Sequence, residues 1–263
     1  AKRADAVADV LDGLGLDPVL VRRVEVTGAG GPEAAARDAR YGALDAAAAE
    51  TGAAAVLLAH TRDDQAETVL LRLARGSGAR SLAGMAPVAG RYRRPLLDLP
   101  RDRVREACLA SGLDAWDDPH NHDPAYARPR VRHDLLPVLV ETLGPGVVPG
   151  LARTAALLRA DADALDAWAD RAHAACVDAD GLAVAALTDL PGAVRGRVLR
   201  RAARDAGCPA GAIGAGHVDA MDELVIRWHG QDGVDLPGAV CCVRRHDRLL
   251  LEPRDRKGAN GRE

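Results

Sequence analysis

The chain has 263 residues, a formal net charge of −3, 48% hydrophobic residues and no Phe. That length suits one large domain or two small ones and is enough to bury a core. The slight acidity excludes wholesale charge-driven coating of nucleic acid, and the apolar content excludes long disorder away from the ends. Lys2 and Lys257 are the only lysines, so 35 − 2 = 33 of the basic residues are Arg. Codon bias would account for that excess equally well, but not for its clustering near 91–94, 101–105, 128–132 and 195–204. Such patches of planar, phosphate-matching guanidinium can bind tRNA on a protein that is acidic overall. The five cysteines, Cys108, Cys176, Cys208, Cys241 and Cys242, are scattered with no CxxC pair. They indicate neither a zinc site nor a disulfide framework and fit a reducing cytosol. No signal peptide and no apolar run long enough to span a bilayer is evident.

In chain order, residues 2–14 read as the tail of a helix closed by Gly13 or Gly15. PVLVRRVEV (18–26) reads as a strand, because Val alternates with charge. TGAGGP (27–32) is a loop, and an alanine-rich helix over 33–51 stops at Gly52. AAAVLLAH (53–60) is a continuous apolar run, which predicts a strand buried on both faces and parallel to 18–26. A helix over 63–75 is ended by Gly76, and another follows Pro100 and stops at Gly112. Strand–helix alternation of this kind predicts an α/β fold with a parallel sheet. Two strands make too little sheet to cover their own faces and edges, so further strands are expected upstream of Ala1. Beyond residue 135 helices dominate, at 136–143, 150–175 and 192–206, and 236–252 reads as a short β hairpin. Pro137, Pro145 and Pro149 among Gly144, Gly146 and Gly150 mark a boundary. The expected division is therefore an α/β domain over 1–137, a mainly helical domain with the hairpin over 138–252, and a flexible tail over 253–263.

The richest stretch for chemistry is HTRDDQAETVLLRLARGSG (60–78), placed where a buried strand gives way to a helix. In open α/β sheets that edge is where ligands bind. Thr61 can cap the helix with Asp64 as its reciprocal partner. Ala66, Val69, Leu70 and Leu73 mark the packing face, while Asp64 and Glu67 project from neighbouring turns of another. With His60 they would bring two carboxylates and an imidazole into one volume, and Arg94 is expected in the same cleft. Acids in a first turn and Arg72 and Arg75 in a last turn also complement the helix dipole, an ordinary structural arrangement. The second rich stretch is WDDPHNHDPAYARPRVRHDLLP (116–137), where Asp117, Asp118, Asn121 and Asp123 lie close in sequence to Arg128, Arg130 and Arg132. It reads as a polyanion-binding loop or as a solvated, salt-bridged one.

These strings, in order, resemble a known family. The DDQAETVLLRLARGSG string, then RPLL (94–97), WDDPHN (116–121) and the ARPRVRHDLLP stretch (127–137) are similar to tRNA-Ile lysidine synthetases, members of the PP-loop ATP pyrophosphatase superfamily. ARDARYGAL (36–44) fits the helix preceding the motif, and the resemblance is close over about 22–140 and looser beyond. It implies a PP-loop ATPase domain followed by a helical tRNA-recognition domain. It also implies ATP-dependent ligation of free lysine onto the wobble cytidine of a CAU-anticodon tRNA-Ile, through an adenylated tRNA. By the same resemblance His60, Asp64 and Glu67 are catalytic candidates. Asp63, Arg72, Arg75 and Arg94 are candidates for lysine and phosphate, and Arg128, Arg130 and Arg132 for tRNA. ATP is the implied co-substrate, with Mg2+ that Asp64 could hold. The implied setting is cytoplasmic with no membrane partner, and a homodimer is left open. The family's SGGxDS loop is absent. TGAGGPEA (27–34) falls where the family has a connector, and the segment alone is expected not to turn over. Pro129 stands where the family usually has Asn. The alternatives are a non-catalytic tRNA-binding protein, or a tRNA thiolation relative, against which the missing CxxC pairs count.

Overall fold

The structure is a computed structural model that describes residues 2–27, 31–76, 78–113, 115–209 and 211–254. Residues 28–30 of the expected TGAGGP connector, Ser77 of the RGSG string and the expected tail from 255 lie outside the described residues. The chain divides into two compact units, residues 1–159 and 160–263. The division falls within a helix, so the Pro- and Gly-rich 137–149 stretch belongs to the first unit.

The first unit runs α1 (Lys2–Gly13), α2 (Pro32–Thr51), β1 (Val56–Leu57), α3 (Arg62–Leu73), α4 (Ala79–Leu82), β2 (Val88–Ala89) and β3 (Tyr92–Arg93). Next come α5 (Arg101–Ala110), a 3-10 turn (Pro119–His122), α6 (Ala127–Arg130), a π turn (Val131–Leu135), α7 (Leu136–Leu143) and α8 (Val147–Cys176). Alanine drives α2, and Gly52, at φ 67° in the left-handed region, ends it by donating its N–H to Ala48 O. The sheet has the order β1-β3-β2, with β1 parallel and β2 antiparallel to β3.

Two expectations are corrected here. Residues 18–26 form no strand. Leu20, Val21, Val24 and Val26 are 41%, 56%, 41% and 52% exposed, and no neighbouring strand pairs with them among the described residues. β propensity expresses packing on a half-buried sheet, and without a partner the pattern has nothing to pack on. The 53–60 run pairs instead with β3, through Val56↔Tyr92 and Leu57↔Arg93. It is not buried on both faces, since Leu57 is 70% exposed. The partner was hidden in VAGRYR (88–93), a hairpin whose two residue-pairs are too short to show alternation.

In the second unit the end of α8 leads into β4 (Val177–Asp178), β5 (Gly181–Ala183), α9 (Val184–Thr188), α10 (Gly192–Asp205) and α11 (Ala215–Ile226). β6 (Val234–Leu236), β7 (Val240–Arg245) and β8 (Arg248–Pro253) follow. The expected hairpin is β7–β8, but it belongs to a five-stranded antiparallel sheet of order β4-β5-β8-β7-β6. The flanking strands of two or three residues carry no legible period. Leu187, Val194, Val198, Leu199, Ala203, Met221, Leu224, Cys242 and Leu249 form the driest part of its core. Arg195, buried beside that core, forms an ion pair with Asp222 and donates to Leu190 O at 2.8 Å, so its charge and its donors are both answered. Among the described residues no single helix is long and apolar enough to cross a membrane.

Leu199 is fully buried, so Leu199→Ala is expected to cost about 2–5 kcal/mol in urea unfolding. Val24→Ala should stay within about 0.5 kcal/mol. A Val24 cost equal to that of Leu199 would show that residues 18–26 are packed as a strand.

Candidate functional site

Helix α3 starts from a polar knot. The Asp64 carboxylate accepts the backbone N–H of Thr61 at 2.8 Å and its hydroxyl at 2.8 Å. Asp63 accepts the N–H of Arg101 at 2.8 Å, which fixes the start of α5 against the start of α3. One turn further along α3, Glu67 is fully buried. Its oxygens accept from Arg132 Nε at 2.8 Å, Arg132 Nη2 at 3.1 Å and Arg101 Nη2 at 2.9 Å, and Arg128 Nε stands at ion-pair distance, 3.5 Å, without a hydrogen bond. Arg101 and Arg132 also reach Asp64, at 3.2 and 3.1 Å. Burial pushes the Asp64 carboxyl upward, but the two Thr61 hydrogen bonds and the Arg101 and Arg132 charges outweigh it and hold it below the usual range.

A second knot pins the loop after α4. Gln65, buried, accepts Met85 N–H at 2.7 Å and donates to Met85 O at 2.9 Å. Arg72 Nη1 donates to Ser81 O at 2.6 Å and Gly84 O at 3.0 Å, Arg94 Nη1 to Ala86 O at 2.7 Å, and Arg159 to Ala83 O. Gly84 sits at φ +61°, and a Cβ there would lie 2.4 Å from Gln65 Oε1, so both conformation and space demand glycine.

Between α2, α3 and the 121–132 segment lies a cleft of about 670 Å³. Six arginines line it, Arg37, Arg40, Arg72, Arg75, Arg128 and Arg132, with His60, Tyr41, Asn121 and Tyr126. Among the described residues no carboxylate lines it. Burial, reinforced by Arg94, lowers the His60 pKa to about 4, so its imidazole is neutral near pH 7. The buried His60 Nδ1 has no hydrogen-bond partner. Burial also lowers the Arg72 pKa, and the like charges of Arg37, Arg159, Arg128 and Arg75 add to the effect.

The expected grouping is thus rearranged. His60, Arg72, Arg75, Arg128 and Arg132 share the cleft, whereas Asp64, Glu67 and Arg94 stand behind its wall. Arg94 is 7% exposed, committed to Ala86 O and, at 3.2 Å, to the Tyr41 hydroxyl. Asp63 serves the α5 start. The expected common tRNA surface of Arg128, Arg130 and Arg132 is also split. Arg128 donates to Thr68 Oγ1 at 2.9 Å and Arg132 is tied to Glu67, while exposed Arg130 holds Pro124 O at 2.6 Å beside a separate 230 Å³ pocket. The physical reason is charge neutralisation, since a buried carboxylate recruits whatever guanidinium reaches it. The loop acid Asp117 pairs with His122 at 2.7 Å, not with an arginine. Sequence reasoning missed Arg37, Arg40, Tyr41, Arg101 and Tyr126. The i, i+3, i+4 spacing of Arg37, Arg40 and Tyr41 on one helix could have been the signal.

Residues 2–139 match the family model of the PP-loop domain, and residues 182–250 match the TilS substrate binding domain. An arginine-lined cleft on the first and a compact sheet-and-helix unit over the second define the class, a PP-loop protein carrying a TilS module. Curated tRNA(Ile)-lysidine synthases are 60% identical from Streptomyces coelicolor, covering 95% of this chain and 72% of that one, and 60% identical from Thermobifida fusca, covering 97% and 79%. One from Salinispora tropica is 54% identical, covering 95% and 77%. The chain belongs to the tRNA(Ile)-lysidine synthase family. A solved structure, the U34-tRNA thiolase NcsA from Methanococcus maripaludis, aligns with TM-score 0.47 at 20% identity over 59% of this chain and 56% of that one.

The depressed His60 pKa has a consequence for stability. An unfolded histidine takes up its proton near pH 6.5, and folded His60 does so only near 4. The unfolded state therefore binds the extra proton in between, so this group favours folding less as pH falls from about 6.5 towards 4. Thermal melts across that window should show the wild type losing stability relative to His60→Asn. Parallel curves would show that His60 titrates normally.

Proposed function

We propose that the protein ligates lysine onto the wobble cytidine of a CAU-anticodon tRNA-Ile, using ATP. In the first step the cytosine ring carbonyl oxygen attacks the α-phosphate of ATP. An O–P bond forms, the bond to the β-phosphate oxygen breaks, and pyrophosphate leaves. In the second the lysine side-chain amine attacks the activated ring carbon and AMP leaves, giving lysidine. The observation that carries this reading is a cleft lined, among the described residues, by six arginines and no carboxylate, in a chain 60% identical to curated lysidine synthases. Both steps develop or expel negative charge on phosphate, and guanidinium groups fixed in advance stabilise it without reorganising.

In this reading Arg75, Arg128 and Arg132 face the phosphates, and Glu67 is the counter-charge that aims the last two. The lysine ammonium needs an acid, and Asp64 and Glu67 are the acids paired with the cleft arginine Arg132. Both are held by Arg101 and Arg132, so a guanidinium must give way for the ammonium to enter. Neutral His60 offers a hydrogen bond to substrate and, at its low pKa, is a poor proton acceptor for an ammonium. Among the described residues no group of three or more His, Cys, Asp or Glu could hold a metal, and Asp64 is already engaged. The protein's donors do not fit a resident Mg2+, which would travel with the ATP phosphates, and no step is assigned to it. Exposed Arg130 contacts the tRNA backbone, and the reaction belongs in the cytoplasm with its tRNA and ATP.

The test uses the full-length protein with ATP, radiolabelled lysine and a tRNA-Ile transcript, CAU against GAU anticodon. Lysine should enter the CAU transcript alone, with pyrophosphate released. Arg132→Ala should lower the rate by about 10²-fold, the usual scale for losing one charge-stabilising donor. Arg130→Ala should reduce the salt slope of tRNA binding by about one. Folded protein that binds the transcript yet releases no pyrophosphate would point to a non-catalytic tRNA binder.

A further inference from the structure

The α2 side of the cleft carries cations that none of the interactions above employs. Arg37 and Arg40 lie one turn apart, and their guanidinium carbons stand 5.4 and 5.6 Å from the centroid of the Tyr41 ring. That ring is fixed from behind. It meets Tyr92 edge-on at 4.9 Å between centroids, and its hydroxyl accepts from Arg94 Nη2 at 3.2 Å. Tyr92 in turn belongs to β3, so the shelf rests on the sheet. Of the other cleft arginines, Arg72 has two carbonyls, Arg128 the Thr68 hydroxyl and Arg132 two carboxylates, while Arg75, like Arg37 and Arg40, has no carboxylate within ion-pair distance among the described residues. Among the described residues neither Arg37 nor Arg40 has a carboxylate within ion-pair distance. Like charge is crowded here, since Arg37 heads the charges that disfavour protonated Arg72. The buried, partnerless His60 Nδ1 in the same cleft is a second polar group left unanswered. A cleft with that much unmatched positive charge is complementary to a multiply charged anion.

We propose that Arg37 and Arg40 form a phosphate-binding wall, on which a phosphate of the bound substrate is gripped opposite α3. The proposal rests on reading the cleft as the lysidine-forming site. Both guanidinium carbons stand over the Tyr41 ring, a contact that uses up no hydrogen-bond acceptor and leaves their N–H donors for the forked hydrogen bonding that phosphate accepts. Two substrates bring that chemistry, the polyphosphate of ATP and the phosphodiesters of the anticodon loop.

Full-length Arg37→Gln/Arg40→Gln, with Arg37→Lys/Arg40→Lys as the conservative pair, separates them. Inorganic pyrophosphate and ATP are titrated calorimetrically without tRNA, and the tRNA-Ile transcript is titrated by filter binding across salt without ATP. The Gln pair should weaken at least one ligand by about tenfold or more, with partial recovery in the Lys pair, which keeps charge but not the fork. If polyphosphate is held, the pyrophosphate titration weakens and the tRNA salt slope stays. If the anticodon backbone is held, the slope falls by about two. The ligand-free melting temperature should not drop, because like charge is being removed, and a fall in Tm with all three affinities retained would make the pair structural. Unchanged affinity for all three ligands, in protein whose wild type makes lysidine, overturns the proposal. A wild type that makes no lysidine would instead sink the functional reading beneath it.

Discussion

The first unit is organised around one buried carboxylate. Glu67 has no access to solvent, and such a charge persists only if cations and donors surround it. Arg101 from α5, Arg128 from α6 and Arg132 from the π turn supply them. Three segments distant in sequence are therefore held to α3 by one side chain. Arg128 and Arg132 both reach Glu67 and both line the cleft. Two of the residues that anchor Glu67 are therefore among those that line the cleft.

This construction explains why the acids lie behind the wall. Long arginines lining a cleft must be kept from collapsing onto each other or fraying into solvent, and Asp64 and Glu67 hold Arg132 in place without lining the cleft themselves. The polar pinning of residues 83–86 by Gln65, Arg72, Arg94 and Arg159 does a related job. It converts a loop of small residues into a fixed rim, using side-chain donors where no helix or strand supplies partners.

The second unit is built on different physics. Its core is apolar and closed by an antiparallel sheet, with the Arg195–Asp222 pair as its buried ionic feature. Such a unit keeps its shape through packing, whereas the first unit relies on polar contacts between buried side chains and on pinned loop carbonyls.

The sequence by itself determined much of this. Alanine content and glycine stops placed α2 and α5 within a residue or two, and Thr61 with Asp64 marked the start of α3, because capping and propensity act over three or four residues. The motif strings were enough to indicate the family. The tertiary structure decided the rest. Whether 53–60 pairs with 18–26 or with 92–93 depends on which backbone is brought alongside, and two-residue strands leave no period to read. Which arginine answers which acid is likewise invisible along the chain. Glu67 meets Arg101 and Arg132 across separations of 34 and 65 residues, where local spacing carries no information. Only the fold, by requiring that a buried charge be neutralised, turned those arginines inward and left Arg37 and Arg40 facing the open cleft.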